Sequence, residues 1–374
     1  MSIFYDDGVV KKLHIELTNA CNSKCPLCPR TGTPIVGNSG IKNLTLEDIK
    51  KINFQNLEVI SFCGNFGDPL LCPEIYEICD YIIQKGICLH IKTNGGMRDK
   101  KFWYDFGKLF SKKNIKERGL PYPDERVGKW NYHKVTFDID GLEDTNHIYR
   151  IGTDFKKIKE NAQSFIDGGG LAGWEWLVFK HNQHQIMEAR DLAIRMGFYN
   201  FSIKKTRSRG RMKKAIKEGH DLNIKNITEK VIDIRGNMYN LDRWIRDDEE
   251  IPVKCKGSDR KQIFISCEGD MFPCCWWGGA YTNDEFNIKK SMVPSLINFD
   301  NNIRTNTWDN IIKKYSSKKD EMKTNFENRC IEECNEACGK KRTSSVTSLI
   351  HLYKRDGKPR NKQRRKFALY GLTQ

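Results

Sequence analysis

Strand-like and helix-like patterns alternate along residues 10 to 210, and no other feature of the sequence limits the fold as strongly. Short apolar runs indicate strands, and apolar residues repeated at helical spacing indicate the helices between them. This alternation predicts parallel strands joined by right-handed crossovers. Six units are too few for a closed barrel of eight, so we predict an α/β fold with a partial barrel open on one side. The predicted strands are residues 13–17, 57–63, 87–93, 134–139, 174–180 and 198–204.

Local signals predict how several elements begin or turn. Thr45 and Asp48 have the spacing of a capping box at the start of a short helix. Asn182 is expected to cap the helix that follows the fifth strand. Further along, residues 262–267 and 270–275 suggest a hairpin that turns at Glu268–Gly269.

Three cysteines, Cys21, Cys25 and Cys28, follow the first predicted strand with the spacing C-x3-C-x2-C. Three thiolates in one short loop can hold three irons of a [4Fe–4S] cluster and leave the fourth iron open for a substrate or cofactor. The next cysteine is Cys63, too far along to close a four-ligand loop. A structural zinc site, which normally has four Cys or His ligands, is the alternative. A redox disulfide between Cys25 and Cys28 is a third reading.

The cysteine loop resembles the signature of the radical S-adenosylmethionine (SAM) enzymes. Its sequence is TNACNSKCPLCPR, residues 18 to 30. Three further turns are similar to that family's motifs and occur in its order, each at the carboxyl end of a predicted strand. They are 66–70, similar to a Gly-Gly-Glu-Pro turn, 93–96, similar to a Thr-Asn-Gly turn, and 138–142, similar to a Ser-Ile-Asp-Gly segment. Phe66, Asp68 and Asp138 depart from the family's usual residues in these turns.

The resemblance implies a partial (β/α)6 radical SAM barrel and a set of binding residues. Cys21, Cys25 and Cys28 would hold the SAM-binding [4Fe–4S] cluster, whose electron cleaves SAM and releases a 5′-deoxyadenosyl radical. The SAM contacts implied by the resemblance are Asp68 for the amine, Asn94 and Asp140 for the ribose hydroxyls, and Arg150 for the carboxylate. A guanidinium can grip a carboxylate with two hydrogen bonds, although a surface helix cation is the other reading of Arg150. The resemblance identifies no catalytic residue that acts on the substrate.

A second group of seven cysteines lies in residues 252 to 339. The spacing C-x13-G-x4-C and a later C-x3-C-x3-C run look like the auxiliary-cluster region of radical SAM enzymes with twitch or SPASM domains. The fuller SPASM spacing is absent, so we expect a small twitch-type domain with one auxiliary [4Fe–4S] cluster. A zinc ribbon is the alternative, because four cysteines suit both metals. The expected ligands are Cys255, Cys274, Cys334 and Cys338, with Cys330 or Cys275 able to replace a neighbour and Cys267 left open.

Charge is concentrated at the end of the chain. The net charge is +16, and residues 340 to 366 hold eleven Lys or Arg against one Asp. This basic tail either contacts a polyanion or is simply solvated. A shorter basic run at the end of the sixth strand, with Lys204, Lys205 and Arg209, is expected to place at least one cation at the active-site mouth. The predicted segments are a barrel at 1–210, a helical linker at 211–251, a cluster domain at 252–339 and the tail at 340–374.

Compartment and function follow from these observations. Fourteen cysteines argue for metal ligation rather than disulfides. No segment reads as a signal peptide or approaches the ~20 apolar residues of a membrane span, so we expect a cytoplasmic protein without membrane contact. The sequence predicts a radical SAM oxidoreductase or maturase that oxidises or cross-links a peptide or small molecule, with flavodoxin or ferredoxin as reductant. The alternative is a zinc-knot nucleic-acid-binding protein with a basic tail; the substrate and the oligomeric state stay open.

Overall fold

Helices and strands alternate from the first strand to the sixth, as the sequence predicts. The computed structural model describes residues 8–30, 40–111, 132–204, 215–220, 222, 230–232, 238–240, 255, 257, 260–282, 297–328, 334, 338 and 346–351. The strands are β1 (Lys12–Ile15), β2 (Val59–Phe62), β3 (Cys88–Thr93), β4 (Lys134–Asp138), β5 (Ala172–Leu177), β6 (Asn200–Lys204), β7 (Lys230–Ile232), β8 (Met238–Asn240), β9 (Gln262–Ile265), β10 (Met271–Phe272) and β11 (Val346–His351). The helices are α1 (Leu46–Lys50), α2 (Ile75–Gln84), α3 (Lys100–Ser111), α4 (Asn146–Tyr149), α5 (Phe155–Asp167), α6 (Ile186–Met196), α7 (Cys275–Thr282), α8 (Trp308–Ser317) and α9 (Lys319–Glu327).

The chain divides into two compact units. Unit 1 comprises Met1–Cys21, Gly32–Leu89 and Asp247–Arg342, and unit 2 comprises Asn22–Thr31, His90–Arg246 and Thr343–Gln374. The division passes through the cysteine loop, so Cys21 belongs to unit 1 while Cys25 and Cys28 belong to unit 2. The four predicted segment boundaries stay predictions.

Unit 1 contains a sheet with the strand order β10, β9, β1, β2. Strand β1 is parallel to β2 and also to β9, with Leu13 opposite both Ile60 and Ile263. These three side chains are buried and form part of the core. The predicted hairpin is confirmed: β10 is antiparallel to β9, and Gly269 in the turn has a φ of +95° that suits glycine. Pattern alone did not predict that this hairpin adds to the sheet beside β1.

Unit 2 contains four parallel strands, β3 to β6, with β11 antiparallel along β6. One face of these strands is strongly apolar and carries buried side chains of Phe137, Trp174 and Trp176. Helices α3 and α5 add Trp103 and Phe165, whose rings meet edge to face at 6.0 Å. The opposite face carries charged side chains, because successive residues of a strand point to opposite sides.

Strand β11 lies inside the segment predicted as a basic tail. Residues Val346–His351 pair with β6 over nearly its whole length, with a register irregularity between Ser348 and Ile350. Part of this segment is therefore a strand of the sheet, which its charge pattern did not indicate. In the part of the chain that the structure describes, no helix is long and apolar enough to cross a membrane.

Local predictions met mixed outcomes. The Thr45–Asp48 capping box is confirmed, with the hydrogen bonds in both directions present. The cap at Asn182 is wrong: α6 begins only at Ile186, after a short 3-10 turn, and Asn182 makes no side-chain cap bond there. Its amide instead donates to the carbonyls of Asp140 and Leu177. The sequence also predicts a Lys-rich insertion at about residues 111 to 131, of which 112–131 lie outside the described residues.

Candidate functional site

A buried ion pair lies at the carboxyl ends of the central strands of unit 2. Asp140, just after β4, has a fully buried carboxylate, and Arg150, just after α4, donates from Nε to its Oδ2 at 2.6 Å. The amide of Leu177, at the end of β5, donates to Asp140 Oδ1 at 2.5 Å. Burial raises the pKa of Asp140, while the Arg150 guanidinium opposes that rise. Both carboxylate oxygens are thus engaged, and Asp140 fixes the direction of Arg150.

The segment after Arg150 holds the cysteine loop. The Lys24 amide and the Ser23 hydroxyl both donate to the carbonyl of Ile151, at 2.8 and 3.1 Å. A side chain on Gly152 would lie 2.9 Å from the carbonyl oxygen of Asn22, so the two backbones approach closely. The Arg150–Gly152 segment therefore sets the position of residues 22–24, directly before Cys25.

The Cys25 sulfur is the point on which several polar groups converge. Cys25 is buried, Ser23 Oγ lies 3.0 Å from its Sγ, and Arg150 Nη1 lies 3.8 Å from it. The Cys28 amide donates to the Cys25 carbonyl at 3.0 Å, which forms a tight turn between the two cysteines. The arginine beside this sulfur is a cation, and the thiolate is the form of cysteine that binds metal.

Asp68 and Asn94, the candidate SAM residues in the other turns, each hydrogen-bond within their own turn, and Asn94 also bonds to the cysteine loop. Asp68 precedes a short 3-10 helix, Pro69–Leu71, and its Oδ1 accepts from the Leu70 amide at 3.0 Å. Asn94 accepts from the Gly96 amide at 2.8 Å and donates to Asn22 Oδ1 at 2.9 Å. Both side chains are buried. Their roles toward SAM stay predictions, and each also supports its turn.

Glu16, which sequence reasoning did not select, holds the first of these turns in unit 1. Its buried Oε1 accepts from the amides of Phe66 at 2.6 Å and Gly67 at 3.1 Å. Burial raises the pKa of Glu16 to about 7, although the two backbone bonds oppose the rise. A side chain on Gly67 would lie 1.8 Å from the Thr18 carbonyl oxygen, so only glycine fits there.

A cluster of four charged side chains, Lys92, Asp138, Glu175 and Lys204, lies on the polar face of β3 to β6. Each is near the carboxyl end of its strand, and Asp138 is the register partner of Glu175. Lys204 was among the cations expected near the mouth of the barrel, while Lys205 and Arg209 lie outside the described residues. A signal was present in the sequence: in β4, β5 and β6 a charged residue near the strand end lies on the face opposite the aromatic residues.

The second cysteine group gathers in unit 1. A side chain on Gly257 would lie 3.7 Å from both Cys255 Sγ and Cys274 Cβ. Burial raises the pKa of the Cys274 thiol, and the nearby thiols of Cys275, Cys334 and Cys255 raise it further. The Trp277 indole donates to Cys334 Sγ at 3.4 Å. Cys338 is partly exposed, and Cys330 lies outside the described residues.

The donor chemistry of both groups fits iron–sulfur clusters, since thiolates are the usual ligands. Within the described ranges, no three His, Cys, Asp or Glu side chains lie close enough together to hold a metal ion. Binding would therefore have to draw the thiols together. Gly257 allows the backbone to approach Pro273 and Cys274 closely, since a Cβ there would lie 3.0 Å from the Pro273 carbonyl oxygen.

Comparison with known proteins gives resemblance at low identity. No model of a protein family matches the chain, and no curated protein sequence matches it. Streptococcus suis SuiB bound to precursor peptide SuiA is 15% identical, with a TM-score of 0.49 over 82% of this chain and 65% of that chain. SuiB bound to S-adenosylmethionine is 15% identical, with a TM-score of 0.46 over 72% and 61%. Native anSMEcpe with bound AdoMet is 14% identical, with a TM-score of 0.45 over 86% and 83%.

The chain spans slightly less than two thirds of the length of these SuiB chains. Likeness at such identities and scores carries no conclusion about activity. The residues of the chain itself must therefore carry any functional assignment.

Proposed function

We propose that this chain is a radical SAM enzyme that acts on a peptide or small-molecule substrate. Cys21, Cys25 and Cys28 would hold a [4Fe–4S] cluster, and a reductant such as flavodoxin or ferredoxin would supply its electron. When bound, the cluster and SAM supply a 5′-deoxyadenosyl radical that abstracts hydrogen from the substrate. The observation that carries the proposal is a three-cysteine loop after β1 with a partly buried arginine, oriented by Asp140, beside its central sulfur.

The protein residues would bind and orient rather than perform the bond cleavage. Arg150 is the candidate partner for the SAM carboxylate, because Asp140 fixes its Nε while Nη1 lies 3.8 Å from Cys25 Sγ and Nη2 lies 4.0 Å from Asp138 Oδ2. Asp140 has both oxygens occupied, which favours a positioning role through Arg150 over the ribose contact first expected of it. Asp68 and Asn94 would contact the SAM amine and ribose from turns that their own hydrogen bonds hold in place.

The second cysteine group would hold an auxiliary [4Fe–4S] cluster. Cys255, Cys274, Cys334 and Cys338 are the proposed ligands, and the closeness of the first three supports the choice. The Trp277 indole N–H directed at Cys334 would stabilise a thiolate there. The auxiliary cluster would take an electron from the substrate radical or anchor the substrate, which suits oxidation or cross-linking.

Metal analysis and SAM cleavage test the proposal. Protein purified without oxygen should contain about eight irons and eight sulfides, four of each per cluster. Replacing Cys21, Cys25 and Cys28 by Ala should remove about half of the iron and all 5′-deoxyadenosine formation. Cys63→Ala, the same chemical change outside both cysteine groups, should leave both readouts unchanged. SAM cleavage that persists in the triple variant, or zinc in place of iron and sulfide, would refute the proposal and favour the zinc-knot binding protein.

A further inference from the structure

Two lysines share one carboxylate on the polar face of unit 2. Lys92 Nζ lies 2.6 Å from Glu175 Oε1, and Lys204 Nζ lies 2.5 Å from Glu175 Oε2. The three side chains come from β3, β5 and β6, at the strand ends where parallel sheets commonly place their ligands. Glu175 thus bridges two adjacent cations, and the Asp138 carboxylate also interacts electrostatically with Lys92.

The electrostatics of these groups show that two like charges, Lys92 and Lys204, lie close together on one carboxylate. Burial opposes ionisation of Glu175, but the ammonium groups of Lys92 and Lys204 outweigh it and lower its pKa to about 2. Burial lowers the pKa of Lys204, and the neighbouring charge of Lys92 lowers it further, even though Glu175 acts in the opposite direction. The two lysines therefore repel each other, and a second anion would relieve that repulsion.

Asp138 adds an acceptor to the cluster. Its Oδ1 is buried and makes no hydrogen bond within the described part of the chain, while its Oδ2 is 4.0 Å from Arg150 Nη2. Buried oxygens without a partner are rare in folded proteins, and each calls for a physical explanation. Because Oδ1 is covered by the protein, a donor group on a bound molecule would contact the exposed remainder of the Asp138 carboxylate.

The cluster is accessible to a small molecule. The exposed fractions of the side chains are 33% for Lys92, 27% for Lys204, 22% for Asp138 and 16% for Glu175. Part of each side chain therefore remains in contact with solvent. An oxyanion approaching from the solvent side would meet two neighbouring lysines.

We propose that Lys92 and Lys204 anchor an oxyanion of the substrate, a carboxylate or a phosphate, and that Asp138 accepts a hydrogen bond from an N–H or O–H group beside it. The inference deepens the proposed function by assigning a substrate class: an anionic molecule or an acidic peptide side chain with an adjacent donor. The site lies on the strands and is separate from the cysteine ligands. The four charged side chains would thus bind the substrate, and the reaction itself would take place at the SAM centre.

Anion binding to the reconstituted holoprotein tests the inference directly. Acetate, glutarate and inorganic phosphate are titrated by calorimetry, with and without SAM, into wild type and into Lys92→Met and Lys204→Met. We expect at least one probe to bind the wild type and each lysine variant to weaken that binding about tenfold, the loss of one charge-assisted contact. Lys134→Met is the matched control, because Lys134 is on the same face at the amino end of β4 and should leave affinity unchanged. Whether glutarate or phosphate binds more tightly distinguishes the two sources of oxyanion.

Glu175→Gln supplies a test with the opposite sign. Removing the internal anion should tighten binding of the probe by about tenfold, since both lysines lose a competing partner. Lys92→Arg and Lys204→Arg keep the charge and should retain binding, so loss of folding in the Met variants cannot mimic the result.

Three outcomes would overturn the inference. They are no probe binding to the wild type, equal binding in the Met variants, and weaker binding in Glu175→Gln. Displacement of the probe by SAM or methionine with the lysine dependence intact would assign the site to the cofactor carboxylate instead, which also overturns it. Anion binding retained without SAM cleavage would refute the proposed function alone, and cleavage retained without anion binding would refute this inference alone.

Discussion

Replacing Asp140 by Asn should destabilise unit 2 strongly, because it breaks a buried ion pair on one side only. The Asp140 side chain is 0% exposed and that of Arg150 is 15% exposed, with 2.6 Å between the bonded atoms. Asn can still accept from the Leu177 amide, but it leaves the guanidinium without its buried counter-ion. The substitution therefore removes the negative charge of residue 140 and keeps the size and shape of its side chain.

The magnitude follows from the burial of both partners. Removing one partner of a buried pair costs about 3–5 kcal/mol, because the remaining charge is uncompensated. Arg150 keeps some exposure and a distant second carboxylate, Asp138, at 4.0 Å, so we expect the lower end, about 3 kcal/mol. For a unit of this size that corresponds to a fall of roughly 5 to 10 °C in the melting temperature.

Thermal and urea unfolding, together with iron content, form the assay. Because Arg150 leads into the segment that holds Ser23 and Lys24, the variant should also retain less iron at the first cluster. Asp105→Asn is the control, since it breaks an exposed helix pair with Lys101 at 2.6 Å and should leave both readouts unchanged. A loss below ~1 kcal/mol, or a stability loss equal to that of the control, would refute the reasoning. In the double variant with Arg150→Met, part of the stability should return.

Three further predictions concern other parts of the fold. Burial raises the pKa of Glu16 from 4.5 to about 7, so the folded chain holds this proton more tightly than the unfolded chain and stability should fall by up to about 3 kcal/mol as the pH rises between those values. Glu16→Gln should flatten this part of the stability profile measured by urea unfolding, and an unchanged slope would contradict the assignment. Gly67→Ala should unfold or displace the turn, because its Cβ would lie 1.8 Å from the Thr18 oxygen. The control Gly279→Ala, whose nearest contact is at 3.5 Å, should keep the wild-type circular dichroism spectrum. Wild-type spectra for both variants would contradict the prediction. Deleting residues 346–374 removes β11 and should lower the melting temperature more than deleting 353–374, and equal effects would show that β11 adds nothing to stability.

Local signals in the sequence were sufficient for the elements themselves. The Thr45–Asp48 capping box depends on residues three apart, and the hairpin at Gly269 depends on a turn of a few residues. The six strands of the first two hundred residues were each found near their predicted positions. Such signals predict local structure reliably because they depend on residues that are close together in the sequence.

Asn182 shows where local reasoning fails. Its position before an apolar helical repeat suggested a cap, but its side-chain oxygen accepts from the Phe179 amide at 2.8 Å and its amide nitrogen donates to the carbonyls of Asp140 and Leu177. The oxygen that a cap requires is therefore already bonded to the preceding turn. The helix consequently begins later, at Ile186.

The sequence by itself determined the order of strands and helices, the three-cysteine loop and the second cysteine group, since each depends on spacing along the chain. Only the tertiary structure decided that β9 lies beside β1, that β11 lies along β6, and that Lys92, Glu175 and Lys204 meet. Strand neighbours are chosen by the pairing of exposed backbone edges and by burial of apolar faces, which spacing does not encode. The charged cluster exists because three strands far apart in sequence end side by side, and that arrangement is a property of the folded sheet.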